Sequence, residues 1–316
     1  MKKLFVSLLL SCVGFAIFAG EKVDRTVEVD EDVFIKIEHI NGEAAIKGWD
    51  KNKVRVLGTL GDKTKEFIFI HDNDEVMIEV RVKQNSSWKN WGAKDEDILE
   101  IYVPLGSKIH YDAVNADVEA VGFNGGANIS TVNGDINSQK LAGRIHLESV
   151  NGDITAKELA GDVKIETVNG DIDSSKSDGN QDRYETVNGD IKVKSSSREI
   201  NVETVNGDID LLLGNIRQLD AVTVNGDIDA YLTLLKNGDV EAYSVGGGIN
   251  LNFQKEVSAR FDIQAHAGGS ITNLLSDDKM QKAKYGPSRW LEFSVNGGHS
   301  EVDISTVSGK VKLSNK

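Results

Sequence analysis

The pentapeptide Val-Asn-Gly-Asp-Ile occurs six times without change, starting at Val132, Val150, Val168, Val187, Val205 and Val224, at spacings of 18, 18, 19, 18 and 19 residues. Val114-Asn115-Ala116-Asp117-Val118 precedes the first copy by 18 residues, and Val245-Gly246-Gly247-Gly248-Ile249 follows the last by 21. A unit this short cannot bury an apolar face by itself, so the copies must stack on one another.

A weaker half-repeat divides the unit. Leu141-Ala142-Gly143 and Leu159-Ala160-Gly161 lie nine residues after Val132 and Val150. Each unit therefore reads as two strands and two tight turns. In residues 162–167, Val163, Ile165 and Thr167 share one face, while Lys164 and Glu166 share the other. That is the two-residue period of a half-buried strand. Asn-Gly marks the turn, because both residues tolerate positive φ. The expected fold is all-β, a parallel β-solenoid with coils of ~18–19 residues stacked every ~4.8 Å. The Val and Ile of the repeat would form the core, and its Asn residues a side-chain ladder. Stacked hairpins in antiparallel sheets are the competing topology, which the near-constant period disfavours.

The expected organisation is a leader over 1–19, a β-rich N-terminal cap over 20–110, the repeat solenoid over 111–250 and a β-rich C-terminal cap over 251–316, with 20–316 forming one body. Residues 174–182 are polar and lack the half-repeat, so they read as a protruding loop. Residues 277–283 read as a short helix. The leader rests on Lys2 and Lys3, the apolar run 4–18 and the small pair Ala19-Gly20. It predicts export to a periplasmic, outer-envelope or secreted location. No later stretch is apolar enough to span a bilayer as a helix. Cys12 is the only cysteine, so a processed chain would hold neither a disulfide nor a thiolate metal site. The net charge of −14 repels phosphate backbones, and nucleic acid is not an expected partner. Cations and basic partners remain compatible with it.

Ile46-Lys47-Gly48-Trp49-Asp50 follows an Asn41-Gly42 turn, Ile101-Tyr102-Val103-Pro104-Leu105 precedes the array, and Ser305-Thr306-Val307-Ser308-Gly309 closes it. With the repeats, these segments make the chain resemble the bacterial putative-adhesin family, a domain of unknown function with β-strand repeats. The resemblance covers nearly all of the chain after the leader. It implies an exported or membrane-associated repeat protein and carries no catalytic residues with it.

No hydrolase elbow, zincin helix, phosphate loop or dinucleotide fingerprint is present. Gly268-Gly269-Ser270 has no recognisable His or Asp partner. His110 and His146 are two units of 18 apart, which places them ~10 Å apart in one column, too far to share an ion. The acidic columns are the sharper feature. Asp135, Asp153, Asp171, Asp190, Asp208 and Asp227 would stack one per coil, and so would Glu148, Glu166, Glu185 and Glu203. Like charges ~5 Å apart repel by about 1 kcal/mol per pair even in bulk water. Three things can offset this: backbone N–H donors at each Asp's own corner, neighbouring Lys140, Lys157, Lys164, Lys192 and Lys194, or bound calcium. Calcium-binding turns use Gly-Gly-x-Gly-x-Asp, which is missing here, so calcium on the Asp column is the lesser alternative and no cofactor is expected. Trp88 and Trp91, in a polar stretch between strands, are candidates for contact with a partner or glycan, or for covering the solenoid end.

The leading function expected is a non-enzymatic envelope protein with a structural or adhesin-like interaction role. Its partner would be an envelope protein, a polysaccharide or a second copy of itself. A carbohydrate-binding or carbohydrate-active solenoid and a calcium-dependent module are the alternatives.

Overall fold

A computed structural model describes residues 20–83 and 96–315. Among these residues the regular structure is entirely β, with no helix. The candidate contacts Trp88 and Trp91 and the leader lie outside the described residues.

The array folds as the period predicts. A longer strand and a shorter one alternate: Ala142–Asn151 and Ile154–Lys157, Ala160–Asn169 and Ile172–Ser177, Gln181–Asn188 and Ile191–Ser195. Each longer strand pairs in parallel with the next longer one, and each shorter with the next shorter. Two parallel sheets result, a long and a short sheet, facing one another across the core. Hairpin stacking is thereby ruled out for the array. The register follows the repeat, with Ile154, Ile172, Ile191, Ile209 and Ile228 in one column, all buried. Ile145 and Leu147, then Val163 and Ile165, close the core from the long sheet.

The Val of the repeat is not in that core. Val132, Val168, Val187, Val205, Val224, Val245 and Val307 are each about 37–46% exposed. The residue before it is the buried one, and the alternation explains why. Thr167 follows Ile165 inward, so Val168 must point out. Thr167 is buried without cost because its Oγ1 donates to the Gly152 carbonyl (3.1 Å), and Ser149, Thr186, Thr204 and Thr223 do the same one coil apart.

The reason for glycine at the repeat corner also differs from expectation. Positive φ belongs to the other corner, at Lys140, Glu158 and Lys176 and at Gly143 and Gly161. At the Asn-Gly corner the requirement is close approach. A Cβ at Gly189 would fall 2.6 Å from the carbonyl carbon of Gly170 in the coil before, and Gly207 meets Gly189 in the same way.

The segment 174–182 is not a protruding loop. Ser174, Ser177 and Asp182 are buried, and Asp182 takes a core place between Val163 and Ile200. Nor is 277–283 a helix. Asn273 and Ser276 side chains accept the N–H groups of Leu275 (2.9 Å) and Asp278 (3.4 Å), competing with helical bonds. Gln281 and Lys282 then pair antiparallel with Trp290 and Arg289.

The two ends share one arrangement. The strand Phe34–Trp49 lies between the coil 108–121 and the coil made by Glu75–Val82 and Asp97–Pro104, both later in the chain than itself. At the other end Ser300–Thr306 and Lys310–Asn315 lie between the coils 239–253 and 259–273, both earlier in the chain. In both cases a terminal coil fills a gap one coil wide. Antiparallel strands then close each end, Lys22–Glu28, Lys53–Thr59 and Thr64–Asp72 at one and Arg289–Val295 at the other.

Candidate interaction surface

The corner residues that looked most chemical are bonded to one another. Asn133 Nδ2 donates to Asn115 Oδ1 (2.8 Å), and the ladder continues through Asn151, Asn169, Asn188, Asn206 and Asn225 at 2.8–2.9 Å. The Asp column is stacked as expected, but each carboxylate serves the next coil rather than its own corner. The N–H of Asp153 donates to Asp135 Oδ1 (2.9 Å), that of Asp171 to Asp153 (2.8 Å), that of Asp190 to Asp171 (2.8 Å), that of Asp208 to Asp190 (2.9 Å) and that of Asp227 to Asp208 (2.8 Å). Gly248 N–H closes the series on Asp227 Oδ1 (2.6 Å). A charge-assisted amide bond per coil offsets the repulsion between neighbouring carboxylates. Each Asp therefore already has an oxygen committed to the backbone. No group of three or more His, Cys, Asp or Glu suited to a metal occurs among the described residues.

The outward face of the long sheet is less balanced. One column runs His146, Lys164, Arg183, Asn201, Asp220, Glu241, Asp303 and Asp262 through successive coils. It changes from cationic to neutral to acidic along the axis. Beside its cationic part stands the Glu column, Glu148, Glu166, Glu185 and Glu203 in register. The two neutralise each other: Glu166 meets Lys164 (2.7 Å) and His146 (2.8 Å), and Arg183 pairs with Glu185 and reaches Glu203 (3.7 Å). Burial pushes the Glu166 carboxyl up, but Lys164 and His146 outweigh it and hold it below its ordinary range.

Beside the acidic part the neighbouring column is Val222, Tyr243, Ser305 and Gln264, which offers no cation. The column on the other side adds Asp239 and Glu301, with Arg260 after them. Asp239, Glu241 and Asp303 are all pushed above the usual carboxylate range, first by burial and then by one another's charge and that of Asp220, Asp262 and Glu301. The exposed Val224, Tyr243, Val245 and Val307 border this patch. Sequence reasoning found the Glu column and missed this one, because the acids come from four strands with no shared motif.

The remaining candidates are dispersed. His110 and His146 do share a column, with Asn128 between them, and pair separately with Asp112 (3.0 Å) and Glu166. Ser270 begins the strand Ser270–Asn273. A polar cluster unforeseen from the sequence lies inside the array. Asp182 Oδ2 accepts from Ser195 (2.7 Å), Ser177 (2.9 Å) and Tyr184 (3.2 Å), while Asp182 Oδ1 and Ser197 Oγ are buried without a protein partner. Burial drives the Asp182 carboxyl upward despite the hydroxyls.

The sequence profile of the family described as Toastrack DUF4097 matches residues 27–314. No curated protein matches the chain. Among solved structures, a putative adhesin from Parabacteroides distasonis is similar at 13% identity and a TM-score of 0.41, over 94% of this chain and 98% of that one. A putative adhesin from Bacteroides fragilis is similar at 11% identity and a TM-score of 0.40, over 93% and 97%. A protein from Parabacteroides distasonis described as a putative lipid binding protein is similar at 12% identity and a TM-score of 0.34, over 93% and 97%.

Proposed function

The chain belongs to the Toastrack DUF4097 family, and from that premise we propose that it is a non-enzymatic, exported interaction scaffold whose working surface is the acidic half of the long sheet. The observation that carries this reading is the column Asp220, Glu241, Asp303 and Asp262, which meets only Arg260 as a cation in the columns on either side and is bordered by exposed apolar side chains. Carboxylates held at the coil spacing repel one another, and a cationic partner relieves that repulsion on binding. Tyr243 and the valines supply the apolar contact that charge alone lacks. The preferred partner is thus an envelope protein with a basic, partly apolar surface.

Photo-crosslinking in intact producing cells tests this. A crosslinker replacing Tyr243 is expected to give a discrete adduct that weakens as salt rises, whereas one replacing Lys194 on the short sheet is not. Equal adducts at both positions, or none at Tyr243, would remove the reading. A glycan reading is favoured by one feature of the short sheet, where exposed Leu212 and Tyr231 lie beside Asp210, Asp229, Lys192 and Lys194. Its test is glycan-array binding lost on Tyr231→Ala and retained on Tyr243→Ala.

A further inference from the structure

The ends of a solenoid expose sheet edges that invite further strands. At the end built by the N-terminal part, the outermost strands among the described residues are Lys22–Glu28 on the short sheet and Thr64–Asp72 on the long sheet. They are built differently. Lys22–Glu28 reads Lys-Val-Asp-Arg-Thr-Val-Glu, and its charges discourage pairing. Thr64–Asp72 carries Phe67-Ile68-Phe69-Ile70 at its centre. On one side it pairs with Glu75–Val82, and no described strand pairs with its other side. Phe67 and Phe69 lie opposite Val80 and Ile78 and pack half-buried on the end of the core. Ile68 and Ile70 lie opposite Glu79 and Met77 on the outward face, also half-buried. Water can satisfy the free N–H and C=O groups of this edge but not the apolar side chains on both its faces. At the opposite end, Ser270–Asn273 and Gln281–Lys282 are edges of four and two residues. Arg289–Val295 also has no described strand beside residues 291–295 on its outer side, but there Leu291 and Phe293 are buried inward and the outward face shows the polar Glu292 and Ser294.

We propose that Thr64–Asp72 is the docking edge for a second copy of this chain, paired antiparallel about a two-fold axis at Ile68. A two-fold axis normal to the sheet keeps opposed side chains on one face, so it must pass through a residue position. Centred on Phe69, the axis would set Glu66 against Asp72 of the second copy. Centred on Phe67, it would set Lys65 against Phe69. Centred on Ile68, it sets Phe67 against Phe69, Phe69 against Phe67 and Ile68 against its twin, keeps the apolar pairs at the middle, and moves the mixed pairs Glu66 with Ile70 and Lys65 with His71 to the ends, with no two carboxylates opposed. The register shift between Thr64 and Glu66 ends the regular edge just before this segment. The two long sheets become continuous, and the four Phe rings close over the joined ends of the cores. This surface is separate from the acidic half of the long sheet.

The full chain in a Cys12→Ser background tests the pairing, because Cys12 is its only cysteine. Ile68→Cys places two thiols directly opposite, ~4.5–5.5 Å apart at Cβ, and is expected to oxidise to a covalent dimer. Ile70→Cys places its twins four residues out of register, ~14 Å apart, and is expected to stay uncrosslinked. Sedimentation of the unmodified chain is expected to show a dimer, with Ile68→Lys weakening it by about tenfold or more through two opposed charges. A monomeric unmodified chain, a dimer indifferent to Ile68→Lys, or crosslinking at position 70 equal to that at 68 would each overturn the proposal. Crosslinking of Ile68→Cys only to a different envelope protein would also overturn it, assigning the edge to that partner. If Ile68→Lys fails to fold, the two cysteine variants decide.

Discussion

Replacing Gly189 by Ala isolates what the repeat corner demands. The added methyl would sit 2.6 Å from the Gly170 carbonyl carbon, nearer still to its oxygen, and 3.1 Å from Asp171 Oδ1, whereas ordinary contact begins near 3.4 Å. Both neighbours are held by ladder bonds, so relief requires the two coils to part locally by roughly 1 Å. That strains Gly170 N–H to Asn188 O (3.1 Å), Asn188 Nδ2 to Asn169 Oδ1 (2.9 Å) and Asp190 N–H to Asp171 Oδ1 (2.8 Å). Loss of two or three such bonds at about 0.5–1.5 kcal/mol each, with overpacking of about 1–3 kcal/mol, gives a destabilisation of about 2–7 kcal/mol. Gly214→Ala is the control. Its methyl would meet nothing closer than 3.5 Å, at Ser196 Cα. The change there should lie within about 0.5 kcal/mol of zero. Urea unfolding by circular dichroism measures both, with the slope checked because a stacked array can lose cooperativity. Hydrogen exchange at Gly170 and Asp190, whose N–H groups bond across the strained interface, reports whether the corner itself opens. If Gly189→Ala unfolds at the same midpoint as Gly214→Ala, the close-approach account is wrong.

Three further outcomes follow from the same geometry. Asp182 has its carboxyl pKa raised in the folded state, so the folded protein keeps that proton at pH values where the unfolded chain has lost it. Its contribution to stability is therefore greatest below the unfolded value of about 3.9 and falls by up to about 1.4 kcal/mol per pH unit as pH rises toward the folded value. Asp182→Asn should remove that slope relative to the unmodified protein in paired melts from pH 4 to 8, and parallel curves would refute it. Deleting residues 300–316 removes the buried Val302, Ile304, Val311 and Leu313 from between two coils. At about 1.5–3 kcal/mol each the loss is about 6–12 kcal/mol, comparable to the stability of a whole domain. The truncated chain should lose its cooperative melt, and an unchanged melting temperature would sink the intercalated placement. Calcium should leave the melting temperature of the unmodified chain unchanged against chelator, since each column Asp already binds a backbone amide; a clear upward shift would restore the calcium reading.

The sequence by itself determined the stack. A constant spacing of Val-Asn-Gly-Asp-Ile forces equivalent residues into columns, because each coil touches only its neighbours and a shared register serves every copy at once. The Ile column, the Asn ladder and the like-charged Glu column were all legible on that ground. The tertiary structure decided what depends on partners distant in sequence. The outward turn of Val168 follows from the alternation of Val163, Ile165 and Thr167, but that a Thr rather than the Val could take the inward place rests on its bond to the Gly152 carbonyl in the coil before, which the strand by itself does not contain. Asp182 is buried because Ser177 and Ser195 from two different coils converge on it, where the polar composition of 174–182 suggested a loop. The acidic patch gathers Asp220, Glu241, Asp262 and Asp303 from strands that share no motif. Above all, the terminal coils 34–49 and 300–315 slot between coils that are not their neighbours in the chain. Periodicity sets the distance between neighbouring coils, whereas the order of coils at each end depends on which sheet edges the terminal strands meet, and no local period encodes that. That is a property of the assembled stack rather than of any one segment.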